Sequence, residues 1–435
     1  MTKLLIRNAQ IFDGLGHSLQ DNKSILIEHG RIVAITHADE AGSFEATVID
    51  ATGKTVLPGL IDMHAHLLSG GFDTITEVID SFELVTQERA LKQMLYWGVT
   101  SVYNPVQPLQ SGLELRARTT KADNVSFPRL FISGPGFTAP NGWAGSLLPL
   151  ARLEPTTLEE AEWGVNQLAD AGVDILKIYY DTQCCAFLNP LPKLKTAIME
   201  RIISRAHERS LRVMLHAYDT EFQMDALRAG VDIMAHSAVT APVNDQYIEL
   251  ALKARTLYLA TLSVYQDAFD ENSLRDYAGE EFVQRTVPRQ TLDTLLNKGP
   301  LDEFLKVTKK SYLKSQLPTI KSNLKSVSDN GIAVGVGPDT GVMGAFPGLS
   351  VHREMELMVD AGISPAQVLV AATRTSAEYL GEQLLGTIEE GKTADLIIVD
   401  GNPLDDIRNT RKIEMVIKNG IVVEREKLLS QIMAD

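Results

Sequence analysis

From about residue 57 to residue 381 the chain switches repeatedly between two hydrophobic patterns. Short unbroken apolar runs predict buried strands over 56–66, 98–103, 130–133, 175–180, 212–216, 232–236, 257–262 and 332–339. Between most of them apolar residues recur every three or four positions, which predicts helices over 85–97, 158–171, 194–209, 221–229 and 245–254. Local signals agree with these boundaries. Thr156-Thr157-Leu158-Glu159-Glu160 offers a helix cap followed by acids in the first turn, and Gly98, Gly172 and Gly230 stand where a left-handed C-cap favours glycine. Eight strands with intervening helices predict an α/β protein built as a (β/α)8 TIM barrel.

The two ends follow a different pattern. Residues 1–56 and 382–435 read as short strands separated by turn residues such as Asp13-Gly14, His29-Gly30 and the strong hairpin signal Asn419-Gly420. They are expected to pair with each other into one composite β-sandwich domain that brackets the barrel, 57–381. The connection after the seventh strand is long, and its helical patterns predict an insertion near 266–330. Such a segment serves as a lid, a subunit contact or a peripheral elaboration.

Charge and composition narrow the partners. A net charge of −15 argues against a nucleic-acid surface, which needs a basic patch. No run of 18 apolar residues predicts a membrane span, and the N-terminal apolar stretch is broken by Arg7, so it reads as a strand. The two cysteines, Cys184 and Cys185, are adjacent, too close for an unstrained disulfide and without metal-motif spacing. The expectation is a cytoplasmic protein with a small-molecule substrate and neither nucleic acid nor membrane as partner. Homo-oligomerisation stays open.

Candidate chemistry lies at the strand ends, where barrel active sites are built. His64 and His66 end the first strand, and side chains two apart on a strand share a face. Lys177 lies within the fourth, His216 ends the fifth, His236 the sixth and Asp339 the eighth. Each has a plain alternative: a satisfied core histidine, a turn aspartate, a lysine paired with a carboxylate. Lys177 resists it most, because a lysine among Ile175, Leu176, Ile178 and Tyr179 loses its hydration. Imidazoles and a carboxylate converging on one mouth are a metal-ligand set.

Together with Val56-Leu57-Pro58-Gly59-Leu60-Ile61-Asp62, Ala371-Ala372-Thr373-Arg374-Thr375-Ser376-Ala377 and the stretch from Gly386 to Leu396, this set resembles the amidohydrolase superfamily, in its imidazolonepropionase-related and prolidase-like branch. The resemblance implies two divalent metal ions, expected to be zinc, and a Lys177 carbamylated by carbon dioxide that bridges them. It implies that His64, His66 and Asp339 hold one ion, and His216 and His236 the other. It further implies hydrolysis of an amide or peptide C–N bond, in a dipeptide or N-acyl amino acid, by a metal-bridging hydroxide. Asp339 would act as general base and acid, and His236 or a nearby donor would help stabilise the oxyanion. A lactonase, esterase or phosphotriesterase on the same site is one alternative, and a mononuclear site with Lys177 as a plain structural lysine is another. A non-catalytic interaction protein of the same fold is a third. Trp143, Tyr180, Tyr218 and Tyr265 are the substrate-binding candidates, with Tyr103, Asn104 and Arg289 behind them. Tyr180 qualifies only if its strand has already ended, since Lys177 and Tyr179 share the other face. His352 is expected on a helix face, outside the chemistry.

Overall fold

The computed structural model describes residues 3–38, 46–69, 82, 84–121, 125–143, 150–183, 189–297, 306 and 308–434. Cys184 and Cys185 lie outside the described residues. Eight parallel strands form the barrel: β1 (Leu60–Asp62), β2 (Val99–Asn104), β3 (Arg129–Ile132), β4 (Ile175–Tyr179), β5 (Arg212–His216), β6 (Ile233–Ala235), β7 (Leu257–Leu259) and β8 (Val334–Gly335). β1, β2 and β3 pair in order, and so do β4 to β8. Two seams close the ring. The Asp174 amide donates to the Ile132 carbonyl at 2.8 Å, joining β3 to β4. The Met63 amide donates to the Val336 carbonyl at 2.9 Å, joining β8 to β1.

Inward-facing residues fill the barrel. Ile61, Met63, Tyr103, Phe131, Ile175, Met214, Ile233, Ala235, Leu257 and Leu259 form one buried cluster, with Ala377, Leu380 and Leu385 packed into the same core. This apolar filling makes the interior a packed core, and the chemistry must sit above it.

The predicted strand 56–66 proves to be two strands. Lys54–Pro58 belongs to the end sheet, where it pairs antiparallel with Leu396–Asp400, and β1 begins after Gly59. Gly59 permits the passage, because a Cβ there would fall 2.3 Å from the Thr100 hydroxyl. The end sheet therefore runs across the expected boundary at 56/57. Among the described residues its eight strands come from both chain ends and make one hydrogen-bonded sheet. Asn419 (φ 50°) and Gly420 (φ 73°) form its last hairpin turn, as a two-residue turn with both φ positive.

The 266–330 segment contains helices Glu271–Ala278, Glu281–Thr286, Arg289–Leu296 and Lys310–Asp329. Its first half is held against the barrel flank. Phe282 packs edge-on against Trp97, and Arg411 bridges Glu280 and Glu356, each at 2.6 Å. Among the described residues no helix is long and apolar enough to cross a membrane.

Candidate metal centre

β1 ends at Asp62, and the chain turns so that His64 and His66 both face Asp339. The His64 Nε2 lies 3.2 Å and the His66 Nε2 2.8 Å from the same oxygen, Oδ1. His236 joins them, its ring centroid 5.2 Å from that of His64 and 4.4 Å from that of His216. Ligand atoms of His64, His236 and Asp339 all lie within 4.8 Å of one another, and all three residues are buried. The structure thus brings the four strand-end histidines and the aspartate of the expected set to one place.

Lys177 lies beneath them. Its Nζ is 3.6 Å from the Met214 sulfur and 5.3 Å from the centre of the Tyr179 ring. Among the described residues it forms no ion pair, so the plain reading of a lysine paired with a carboxylate does not hold. Burial pushes its amine down to about 7, with Asp339 opposing. Burial, together with the charge of Lys177 and of neighbouring histidines, keeps His64, His216 and His236 well below the usual imidazole value. They are neutral at pH 7 and present lone pairs. Burial pushes the Asp339 carboxyl up, but His66 by charge and hydrogen bond, with His236 and Lys177, more than offsets it and leaves it below its ordinary value. Neutral imidazoles around an ionised carboxylate suit a divalent cation such as zinc. The donor set also lacks full internal satisfaction, since His64 Nδ1 makes no hydrogen bond among the described residues.

Several supporting residues carried no sequence signal of their own. Asp62 accepts the His64 amide at 2.9 Å and the Thr340 hydroxyl at 2.6 Å, tying the histidine pair to the residue after Asp339. Asp181 and Gln183 shape the rim of β4, and the Gln183 side-chain amide lies directly against His216 Nε2. Thr261 Oγ1 stands 3.0 Å from His236 Nδ1. His236 (φ 77°), Asp339 (φ 61°), Thr261 (φ 49°) and Gln183 (φ 57°) all occupy the left-handed region, where non-glycine residues are strained. Strain of this kind collects at functional sites, and no periodicity in the sequence reports it.

The Thr261 contact bears on the two roles expected of His236. With Nδ1 engaged, His236 has a single nitrogen to offer, so it can serve as a ligand or as an oxyanion donor, but not as both at once.

Two of the aromatic candidates lie against the histidines, and a third lies behind them. Trp143 stacks on His216 at 6.2 Å between centroids. Tyr218 lies 4.8 Å from both His216 and His236, and Tyr265 lies 5.8 Å from Tyr218. Tyr180 does not join them. β4 ends at Tyr179, and Tyr180 turns outward between two helices, its hydroxyl 2.7 Å from Thr196 and 3.3 Å from Asp225. Tyr103 is buried in the barrel core with its hydroxyl on the Ile175 carbonyl, Asn104 bonds Gln107, and Arg289 is exposed beside Asp293. His352 is buried between Thr410 and the Trp97 carbonyl, away from the mouth. Tyr180→Phe is therefore expected to leave kcat/KM within about twofold, whereas Trp143→Ala, which strips an aromatic wall, should raise KM by ~10-fold, as loss of ~1.4 kcal/mol of binding would. Steady-state kinetics of the two variants checks this.

The amidohydrolase family profile matches residues 55–423, and the chain belongs to that family. It is a family of metal-dependent hydrolases acting on carbon–nitrogen bonds. Among curated proteins, the imidazolonepropionase of Geobacillus thermodenitrificans is 26% identical over 432 residues, covering 93% of this chain and 91% of that protein. Among solved structures, a putative prolidase from Bifidobacterium longum superposes with a TM-score of 0.75 at 26% identity, covering 100% of this chain and 99% of that one. An Xaa-Pro dipeptidase solved with methionine in its active site also gives 0.75, at 23% identity, covering 97% and 99%. That last likeness concerns the fold.

Proposed function

We propose that this chain is a binuclear metal-dependent hydrolase that cleaves the amide bond of a dipeptide or N-acyl amino acid. The observation that carries the reading is Lys177, buried where its charge is felt by His64, His216, His236 and Asp339, with no carboxylate partner in ion-pair range among the described residues. An unpaired buried ammonium is costly. A neutral amine that adds through nitrogen to the carbon of carbon dioxide becomes a carbamate anion and releases one N–H proton to water, and two adjacent cations would offset the anion's charge. In this reading His64, His66 and Asp339 hold one ion, His216 and His236 the other, and carbamylated Lys177 serves both; zinc fits the donors. The small-molecule substrate sits against Trp143, Tyr218 and Tyr265. The name of the putative prolidase, 26% identical over the whole chain, supports the choice of bond.

When bound, the ions supply Lewis-acid polarisation of the scissile carbonyl and lower the pKa of water. The chain's own residues do the rest. Asp339, ionised and facing the site, takes the proton of the attacking water and returns it to the leaving nitrogen as the C–N bond breaks. One product is a carboxylate and the other an amine. The same reading treats the two chain ends, up to Pro58 and from 382, as a β-sandwich-like companion to the barrel, and a cytoplasmic setting supplies the dissolved carbon dioxide that Lys177 needs.

The test is turnover by the metal-loaded protein across Xaa-Pro and Xaa-Arg dipeptides and N-acyl amino acids. Hydrolysis of any of these supports the reading. Turnover of lactones or phosphotriesters with none of amides overturns it, as does a protein that binds no metal and turns over nothing.

A pH dependence follows for activation. With the Lys177 amine near 7, its neutral fraction rises from roughly 10% one pH unit below that value to roughly 90% one unit above. Reconstitution of metal-free protein at a fixed concentration of dissolved carbon dioxide should therefore accelerate about tenfold from pH 6 to pH 8 and then level off. Stopped-time recovery of activity measures it. A flat profile, or one rising only near pH 10, contradicts the assignment.

A further inference from the structure

The helix Leu349–Asp360 follows β8, and two of its residues hold the segments that flank the centre. Ser350 and Glu354 stand four apart, so they share one helix face, and both are buried. Ser350 bonds the Thr340 hydroxyl at 2.8 Å, which in turn bonds Asp62. Glu354 accepts two backbone amides, from Leu262 to Oε1 at 2.7 Å and from Ser263 to Oε2 at 2.8 Å. Each oxygen of the buried Glu354 carboxyl thus holds one amide, while burial pushes that carboxyl up to about 7 against the effect of these bonds. The residue just before those amides is Thr261, a β-branched residue held at φ 49° with its hydroxyl on His236 Nδ1. The neighbouring Arg353 grips Asp267 through two nitrogens, at 3.0 and 3.1 Å. Consecutive residues of one helix thus clamp the 261–267 segment at both ends.

We propose that Glu354 is a positioning residue for the metal centre. By pinning the Leu262 and Ser263 amides it holds Thr261 in its strained conformation against His236, fixes that ring with Nε2 toward the site, and so sets the affinity for the ion on the His216–His236 side. The proposal rests on the binuclear reading for the existence of that ion. A ligand imidazole whose other nitrogen is held in a hydrogen bond keeps one tautomer and one orientation, and loss of such a partner costs roughly 10–100-fold in metal affinity. Thr261 cannot supply that bond unless something opposes the strain of its backbone, and the Glu354 carboxylate is placed to do so.

The experiment titrates the metal-free full chain with Zn²⁺ against a competing chelator and reads each binding constant. Glu354→Gln keeps the volume but turns an NH2 toward one of the two amides. Thr261→Val removes the hydroxyl alone, and Thr261→Ser keeps it. Glu354→Gln and Thr261→Val should each weaken one of the two binding steps by ~10-fold or more, with Thr261→Ser at the wild-type value. The thermal midpoint of the metal-free proteins separates a purely structural role: a lowered midpoint with unchanged binding constants overturns the proposal, as does wild-type binding in both Glu354→Gln and Thr261→Val. Uptake of one equivalent by the wild-type chain instead overturns the binuclear reading, and the clamp then stands or falls on whether that single constant weakens in the two variants.

Discussion

Lys177→Met should lower kcat/KM by about 1,000-fold or more while making the metal-free protein more stable. The activity loss follows from losing the bridging ligand. Metal polarisation contributes several kcal/mol to the transition state, and about 4 kcal/mol is a thousandfold in rate. The stability gain follows from the folded environment of the amine. Burial brings Lys177 down to about 7, whereas an unfolded chain holds that proton up to about 10.4. Between those values the unfolded state binds more protons, so wild-type stability rises with pH across that window. The cost to folding, on the order of a few kcal/mol, is fully present below pH 7 and fades toward pH 10. Methionine removes it and fills the same space beside Met214. Denaturant unfolding of both metal-free proteins at pH 7 and pH 10 should show a gain at the first and almost none at the second. An active variant, or one less stable at pH 7, contradicts the role given to this residue.

Asp339→Asn should lower kcat by about 10²–10⁴-fold with a smaller change in KM, the range expected when a general acid–base is lost. The substitution keeps the shape of the side chain and an oxygen toward His66, so the fold around it should survive. The wild-type rate should fall only in strongly acid solution. His66, His236 and Lys177 keep the Asp339 carboxyl ionised below the usual carboxylate range against the opposing effect of burial, and a base with a depressed pKa is lost only as pH falls through that depressed value. Rate and metal content measured together distinguish loss of the base from loss of the ion. A variant with full metal and unchanged kcat removes Asp339 from the chemistry.

The barrel and the cluster of four histidines with Asp339 were legible because these residues close largely apolar runs. Strand ends in this architecture converge on one face, so His64, His66, His216, His236 and Asp339 could be placed together before any coordinates. Lys177 was legible as an anomaly, a charge inside an apolar strand. What the sequence hid falls into two kinds. The break at Gly59 interrupts no hydrophobic pattern; it exists because Thr100 leaves room for no side chain there. Thr261, Thr340, Ser350 and Glu354 act through tertiary contacts between loops with unusual backbone angles and a helix far along the chain, and nothing local marks them. Tyr180 shows how one residue decides a side: the strand continues to Tyr179, alternation holds, and Tyr180 faces the helices.

The central claim is that Lys177 becomes a bridging carbamate between two ions. Its most direct test is ¹³C NMR of protein reconstituted with ¹³C-bicarbonate and zinc, alongside elemental analysis of the same sample. The account predicts two zinc equivalents per chain and one protein-bound carbamate signal that is missing in Lys177→Met. An active wild-type sample with one equivalent and no carbamate signal would contradict it.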